Sequence, residues 1–137
     1  MVRGLHCHCD VTRRLLIADD EKAILFAMRD YFDALGYEVD CAQDSERALS
    51  LLEAHRYAVV IADLRLTKDA PAEGLDLVTR VRDRWPATRT IILTAYGSSE
   101  MEARARRIGV DAVLQKSERL TDVAEIVRWL SEGKRQS

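Results

Sequence analysis

The sequence has no long hydrophobic run, and its uninterrupted apolar stretches are only a few residues long. A membrane-spanning helix needs about 20 consecutive apolar residues. The first residues, Met1 to His6, also lack the apolar centre of a signal peptide. We therefore expect a soluble cytoplasmic protein with no membrane segment.

An excess of charge of one sign is also missing, since 21 basic residues stand against 23 acidic ones and the formal net charge is −2. Proteins that bind nucleic acid concentrate basic residues on one surface or segment. No segment of this sequence has the character of a second, basic DNA-binding module. We therefore expect no direct contact with nucleic acid.

Cysteine is scarce, and the three cysteines cannot all pair within the chain, so the sequence predicts no disulfide framework. Cys41 falls in a predicted strand. Cys7 and Cys9 alternate with His6 and His8 in a predicted flexible leader, residues 1–12, where the four side chains offer ligands for Zn²⁺ or Ni²⁺. Structural zinc sites space their cysteines by about two to four residues and add a second pair elsewhere. A flexible leader without a metal is the favoured interpretation.

A length of 137 residues with 47% hydrophobic content suffices for one domain with a core, but not for two. After residue 12, short apolar runs alternate with longer segments of helical periodicity, which is typical of repeated β-α units around a parallel sheet. The predicted domain covers residues 13–131, and residues 132–137 form a predicted flexible tail. The predicted strands are 13–18, 37–41, 57–62, 89–93 and 111–115.

Five predicted helices separate and follow these strands. They are 21–35, a helix capped by Asp44 or Ser45 that ends near residue 55, 74–85, a helix capped by a serine after Tyr96 that ends near residue 108, and 119–131. The first helix carries a predicted buried stripe, formed by Ile24, Leu25, Met28, Tyr31, Phe32 and Leu35. We expect Trp85 and Trp129 to be packing residues.

Four predicted strands are followed by polar side chains that can bind a metal ion or take part in a reaction. Asp19 and Asp20 follow the first, Asp63 the third, Thr94 the fourth and Lys116 the fifth. Ligands of open parallel sheets bind outside the carboxyl ends of the strands, so these side chains are expected in one cleft. Three carboxylates in a small volume repel one another, and a hard cation such as Mg²⁺ relieves the repulsion. The carboxylate that remains can act as a nucleophile.

With these residues in this order, the chain resembles the receiver domain of two-component response regulators over about residues 13–131. The resemblance implies an α/β fold, a doubly wound, flavodoxin-like sheet of five parallel strands in the order 2-1-3-4-5. It implies a signalling domain rather than an enzyme. Its chemistry would be the acceptance of a phosphoryl group from a sensor histidine kinase or phosphotransfer protein, followed by slow autodephosphorylation.

The resemblance also implies a role for each site residue. Asp63 is the phosphoacceptor, and Mg²⁺ is bound by Asp20, by Asp19 directly or through water, by Asp63 and by the backbone carbonyl of Arg65. Lys116 places its charge on the phosphoryl oxygens and Thr94 donates its hydroxyl to them. Movement of Thr94 then repacks the face of the fourth helix, fifth strand and fifth helix. That face would contact a downstream partner, a missing effector domain or a second copy of the chain.

Several positions depart from the family pattern. Val113 stands where receivers carry an aromatic switch residue, and a small aliphatic side chain cannot change its exposed area as much. Ser117 stands where a cis-proline is typical, and a cis bond without proline costs about 2.5–4 kcal/mol, so we expect a trans bond. Leu66-Thr67 replaces the usual methionine-proline pair. A short insertion follows, in which Lys68 and Asp69 lie near the expected cleft mouth as either a docking feature or tolerated surface variation.

Two further positions are expected to control access to the phosphorylated aspartate. Arg65 lies two residues after Asp63, and Tyr96 lies two residues after Thr94. Large side chains at these positions can screen the phosphoryl group from water. Separately, a basic cluster on the predicted fourth helix and beyond is either a solvated face or a docking surface; it consists of Arg104, Arg106, Arg107 and Arg119.

Three other interpretations remain open at the level of sequence. The aspartates are also common as helix caps and turn residues, although Thr94 and Lys116 would then be coincidences. A pseudo-receiver that serves as a constitutive protein-binding module is favoured by Val113 and Ser117. A Mg²⁺-dependent phosphatase with an aspartyl nucleophile is disfavoured because such enzymes place a second aspartate where this chain has Arg65.

Overall fold

The protein, described here by a computed structural model covering residues 13–65, 73–95 and 99–132, alternates strands and helices along the chain. The strands are β1 (Arg14–Ala18), β2 (Glu38–Ala42), β3 (Val59–Asp63), β4 (Arg89–Thr94) and β5 (Ala112–Gln115). The helices are α1 (Lys22–Ala34), α2 (Ser45–Ala54), α3 (Glu73–Arg84), α4 (Ser99–Ile108) and α5 (Leu120–Ser131). None of the described helices has the length and apolar composition that crossing a membrane requires.

The strands form one sheet in the order β2-β1-β3-β4-β5, and every neighbouring pair is parallel. This confirms the predicted doubly wound α/β fold. Helices α1 and α5 cover one face of the sheet, and α2, α3 and α4 cover the other, so two apolar clusters flank it. The central strand β3 is buried at every residue because helices exclude water from both of its faces. Its carboxyl end is therefore held rigidly at the middle of the sheet.

The strand ends differ slightly from the prediction. Asp63 and Thr94 were expected just after their strands, but they are the last residues of β3 and β4. Each strand is one residue longer than predicted at this end, because pairing with the neighbouring strand continues beyond the last apolar residue. The polar side chains at these positions thus lie at the edge of the sheet where it opens.

The predicted buried stripe of α1 is partly wrong. Leu25, Met28 and Phe32 are buried, whereas Leu35 is 46% exposed. Leu35 is the C-cap of α1, and the chain turns away at Gly36, whose φ of 97° favours glycine. A position after the last helical turn no longer follows the helical period, so Leu35 leaves the core.

The two tryptophans also differ from each other. Trp85 is half-buried against the cluster beneath α2, α3 and α4, as expected of a packing residue. Trp129 is 37% exposed on α5, so its predicted packing role was only partly right. The predicted leader 1–12 and residues 133–137 of the predicted tail 132–137 lie outside the described residues. So do Leu66, Thr67, Lys68, Asp69 and Tyr96.

Candidate functional site

Three carboxylates meet at the carboxyl ends of the neighbouring strands β1 and β3. One oxygen from each of Asp19, Asp20 and Asp63 lies within 4.8 Å of the others. Asp19 and Asp63 are buried, and Asp20 is half-buried. Parallel pairing of β1 with β3 brings these residues together, since both strands end at the same edge.

Lys116 reaches into this acidic group from the end of β5. Its Nζ lies 3.0 Å from Asp19 Oδ2 and 3.0 Å from Asp63 Oδ2. The backbone N–H of Lys116 donates to the carbonyl oxygen of Thr94 at 2.7 Å, which anchors the lysine beside β4. Thr94 is itself buried at the last position of β4. The structure thus places all five sequence-predicted strand-end residues at one edge of the sheet.

Glu21 is a site neighbour that the sequence analysis missed. Its Oε1 lies 3.1 Å from Lys116 Nζ, although the two residues are 95 positions apart in sequence. The only sequence signal was its place directly after Asp19-Asp20. The backbone N–H of Glu21 donates to Asp19 Oδ1 at 2.9 Å, so Glu21 is tied to the first carboxylate of the site.

Burial shapes the electrostatics of the site. Burial raises the pKa of Asp63, and the nearby charge of Asp19 raises it further, while Lys116 and the Arg65 N–H act in the opposite direction. Burial likewise raises the pKa of Asp19, opposed by the Glu21 N–H and by Lys116. Burial alone would lower the pKa of Lys116, but the carboxylates of Asp19 and Asp63 raise it by more. Because the pKa values of both carboxyl groups stay raised beside Lys116, the lysine offsets only part of the cost of burying their charges.

The site also fits a divalent cation. Asp19 Oδ2 is buried and has no hydrogen-bond partner among the described residues, because its 3.0 Å contact with Lys116 is an ion pair without hydrogen-bond geometry. A buried carboxylate oxygen left in this way is costly. Carboxylate oxygens are the ligands that Mg²⁺ and Ca²⁺ prefer. Asp19, Asp20 and Asp63 together supply such a donor set.

The backbone after β3 is held close to the first turn of α3. A Cβ atom at Gly74 would lie 2.1 Å from the carbonyl oxygen of Asp63 and 2.6 Å from that of Leu64, so only glycine fits there. Arg65 follows, and its N–H donates to Asp63 Oδ1 at 3.2 Å. The Arg65 side chain is exposed. The Arg65 N–H thus holds one oxygen of the buried Asp63 carboxylate in place.

The start of α3 is also tied to α2. Asp44 is the N-cap of α2 and accepts a hydrogen bond from the Arg47 N–H at 2.8 Å, which settles the predicted choice of cap in its favour. The Glu73 carboxylate accepts hydrogen bonds from the Ser45 N–H, at 3.2 Å, and from the Ser45 hydroxyl. This bridge fixes the point at which the chain returns from the loop after Asp63.

The departures from the family pattern can also be located. Val113 is half-buried in β5 and packs against the core below α4. No cis peptide bond occurs in the described parts of the chain, so the bond between Lys116 and Ser117 is trans, as predicted. The four arginines of the predicted basic cluster are all exposed; they are Arg104, Arg106, Arg107 and Arg119.

A parallel α/β sheet with carboxylates and a lysine at the carboxyl ends of its strands defines a class of open-sheet domains with an acidic ligand site. The model of the response regulator receiver domain family matches residues 15–128. The chain therefore belongs to the response regulator receiver domain family.

Curated relatives are longer than this chain. The photosynthetic apparatus regulatory protein RegA of Cereibacter sphaeroides is 30% identical over 116 residues, which are 85% of this chain and 61% of RegA. The transcriptional regulatory protein PdtaR of Mycobacterium tuberculosis is 32% identical over 114 residues, which are 82% of this chain and 54% of PdtaR. The chain thus spans little more than half the length of these relatives.

Solved structures show the same fold. A response regulator receiver domain protein (CheY-like) from Methanospirillum hungatei has a TM-score of 0.82 and 26% identity, covering 88% of this chain and 94% of that one. A response regulator from Burkholderia pseudomallei has a TM-score of 0.78 and 25% identity, covering 88% of this chain and 69% of that one. The latter crystal structure contains a phosphorylated aspartic acid, a calcium ion and citrate.

Proposed function

We propose that this receiver domain accepts a phosphoryl group on Asp63 and signals through phosphorylation-dependent docking. The observation that carries the proposal is the contact of Lys116 Nζ with both Asp63 and Asp19 at 3.0 Å, beside a cluster of three carboxylates. The phosphorylated aspartate in the Burkholderia pseudomallei relative supports it. The donor is a sensor histidine kinase or a phosphotransfer protein.

In the proposed reaction, a carboxylate oxygen of Asp63 attacks the phosphorus of a phosphohistidine. The phosphorus–nitrogen bond breaks, and its electron pair leaves with the imidazole, so an aspartyl phosphate forms without a general base. The Arg65 N–H holds Asp63 Oδ1, and Lys116 stabilises negative charge on the phosphoryl oxygens. Asp19, Asp20, Asp63 and the Arg65 carbonyl would hold Mg²⁺, which when bound neutralises part of the charge on the carboxylates and the phosphoryl group.

The proposed output passes from Thr94 to the face formed by α4, β5 and α5. Thr94 ends β4, which pairs with β5, so a hydroxyl drawn towards a phosphoryl group pulls on the strand that carries Val113. Because Val113 is small and half-buried, this output depends on backbone and helix shifts rather than on an aromatic switch. The signal passes to a partner protein, an effector domain or a second copy of the chain. We place this process in the cytoplasm, without direct contact between this domain and DNA.

The test is phosphorylation with acetyl phosphate and Mg²⁺, followed by intact-mass measurement. We expect one added phosphoryl group on the wild type and none on Asp63→Asn, because the amide is not a nucleophile for this transfer. Asp83→Asn, at an exposed position of α3, is the matched control and is expected to be phosphorylated like the wild type. Chelation of Mg²⁺ is expected to suppress uptake.

A pseudo-receiver is the second candidate, favoured by Val113 and by the trans bond before Ser117. Absence of both phosphoryl uptake and Mg²⁺ binding by the wild type would replace the first proposal with this one. Turnover of a generic phosphate ester would instead indicate a phosphatase. That activity is not expected, because the exposed Arg65 stands where a second aspartate would be needed.

Access to the aspartyl phosphate gives a further prediction. We propose that Arg65, exposed after Asp63, and Tyr96 screen the phosphoryl group from attacking water. The double variant Arg65→Ala/Tyr96→Ala is therefore expected to shorten the lifetime of the phosphorylated state several-fold, followed by intact mass after removal of the donor. Arg104→Ala, an exposed position on α4, is the control. An unchanged lifetime in the double variant would contradict the screening role.

A further inference from the structure

Lys116 contacts three carboxylates, and one of them, Glu21, has no role in the proposed phosphotransfer. Its Nζ donates hydrogen bonds to Asp63 Oδ2 at 3.0 Å and to Glu21 Oε1 at 3.1 Å, and it forms an ion pair with Asp19 Oδ2 at 3.0 Å. An ammonium group has three N–H donors and no acceptor. Every close partner of Lys116 Nζ among the described residues is a carboxylate, and two of its three donors are committed to hydrogen bonds with Asp63 and Glu21.

The three carboxylates do not hold the lysine equally. The side chains of Asp19 and Asp63 are 1% and 8% exposed, whereas that of Glu21 is 59% exposed. Loss of a buried partner leaves an uncompensated charge without water, which is strongly unfavourable. A released Glu21 carboxylate is instead solvated at once, so this contact is the one most easily exchanged.

We propose that Glu21 is a positioning residue that holds Lys116 in the resting site and is displaced when a phosphoryl group arrives. The inference rests on the proposed phosphorylation of Asp63. Glu21 occupies one N–H donor of Lys116 that a phosphoryl oxygen can use, and its charge at the exposed rim repels anionic phosphoryl donors. Both effects slow phosphoryl uptake, and both are screened by salt because the contact is exposed.

The first measurement compares the rates of uptake from acetyl phosphate in Glu21→Gln and Glu118→Gln. Glu118 is exposed and lies two residues from Lys116, so its variant removes the same charge near the site without removing the 3.1 Å contact. We expect Glu21→Gln to be faster than the wild type by about two- to fivefold, as for an exposed ion pair, and Glu118→Gln to resemble the wild type. The difference is expected to shrink as ionic strength rises.

A conservative variant separates the contact from the charge. Glu21→Asp keeps the negative charge but shortens the side chain by one methylene group, which withdraws the carboxylate from Lys116 Nζ. If the contact restrains the lysine, Glu21→Asp also accelerates uptake, by less than Glu21→Gln. A rate identical to that of the wild type in Glu21→Asp would assign the effect to charge alone and would overturn the positioning role.

A second measurement needs no phosphoryl donor and no metal. The chain has only the lysines Lys22, Lys68, Lys116 and Lys134, so the Nζ signals of lysine-labelled protein can be assigned by substitution. We expect the Lys116 Nζ resonance to move in Glu21→Gln and to stay in place in Glu118→Gln. An unmoved Lys116 resonance would overturn the contact itself.

Slower uptake in Glu21→Gln, or equal acceleration by Glu118→Gln, would also overturn the proposal. Failure of the proposed function gives a different pattern. In that case neither the wild type nor any variant gains a phosphoryl group, while the Lys116 resonance still moves in Glu21→Gln. That result would confirm the contact and withdraw its role in phosphotransfer.

Discussion

Gly74→Ala is expected to lower the free energy of unfolding by about 3 kcal/mol, the upper end for overpacking a rigid site. The added Cβ would lie 2.1 Å from the Asp63 carbonyl oxygen and 2.6 Å from that of Leu64. Both oxygens belong to the backbone at the end of β3, which cannot move aside as a flexible side chain can. The first turn of α3 must then move away from the end of β3. Urea unfolding measures the loss, and we expect slower phosphoryl uptake as well because Asp63 is displaced.

The expected loss of stability in Gly74→Ala is opposite in sign to the usual effect of this substitution. Inside a helix, replacing glycine with alanine ordinarily stabilises a protein by about 0.5–1 kcal/mol. Gly36→Ala is the comparison, since its Cβ would meet only the flexible Arg13 guanidinium at 3.3 Å, although its φ of 97° still adds strain. Its loss should be smaller than that of Gly74→Ala. A stability of Gly74→Ala equal to or above that of the wild type would contradict the close approach.

Lys116→Met is expected to destabilise the protein by about 3 kcal/mol near neutral pH and to abolish efficient phosphoryl uptake. Methionine keeps most of the side-chain volume but leaves the buried carboxylates of Asp19 and Asp63 without their shared cation. Urea unfolding of the variant measures the loss. Lys22→Met, at an exposed position at the start of α1, is the matched control and should change stability little.

The pH dependence of this loss has a definite sign. Burial raises the pKa of Asp63 and of Asp19 in the folded protein, so folding favours their protonated forms. The penalty for charging them is absent below the ordinary carboxyl pKa of about 3.9 and grows as the pH rises through the raised values. The difference in the free energy of unfolding between the wild type and Lys116→Met should therefore narrow as the pH falls from neutral towards the ordinary carboxyl pKa of about 3.9. A difference independent of pH would indicate a packing defect instead.

Two additions separate charge from packing in Lys116→Met. The double variant Lys116→Met/Asp63→Asn removes one of the repelling carboxylates, so we expect it to recover part of the lost stability. Mg²⁺ is expected to do the same when Asp63 is kept, since a bound cation stabilises only the folded protein. Recovery in neither case would show that Lys116 does not neutralise these carboxylates.

The family and the sheet order could be predicted because the relevant signals are local. Apolar β-branched runs, helical periodicity and polar strand ends each occupy a few consecutive residues, and parallel strands place their ends at one edge. Asp19, Asp63, Thr94 and Lys116 were identified in this way. The position of Leu35 was wrong because the helical period was continued one residue beyond α1, where Leu35 is instead the C-cap.

The amino-acid sequence alone determined which residues alternate between core and surface and which polar side chains stand at the strand ends, because these depend on residue type and spacing. Only the tertiary structure decided what those side chains contact. Lys116 is shared by three carboxylates because separate strands bring residues as far as 95 positions apart into one space. Gly74 is required because folding presses α3 against the end of β3, a distance that no local pattern encodes.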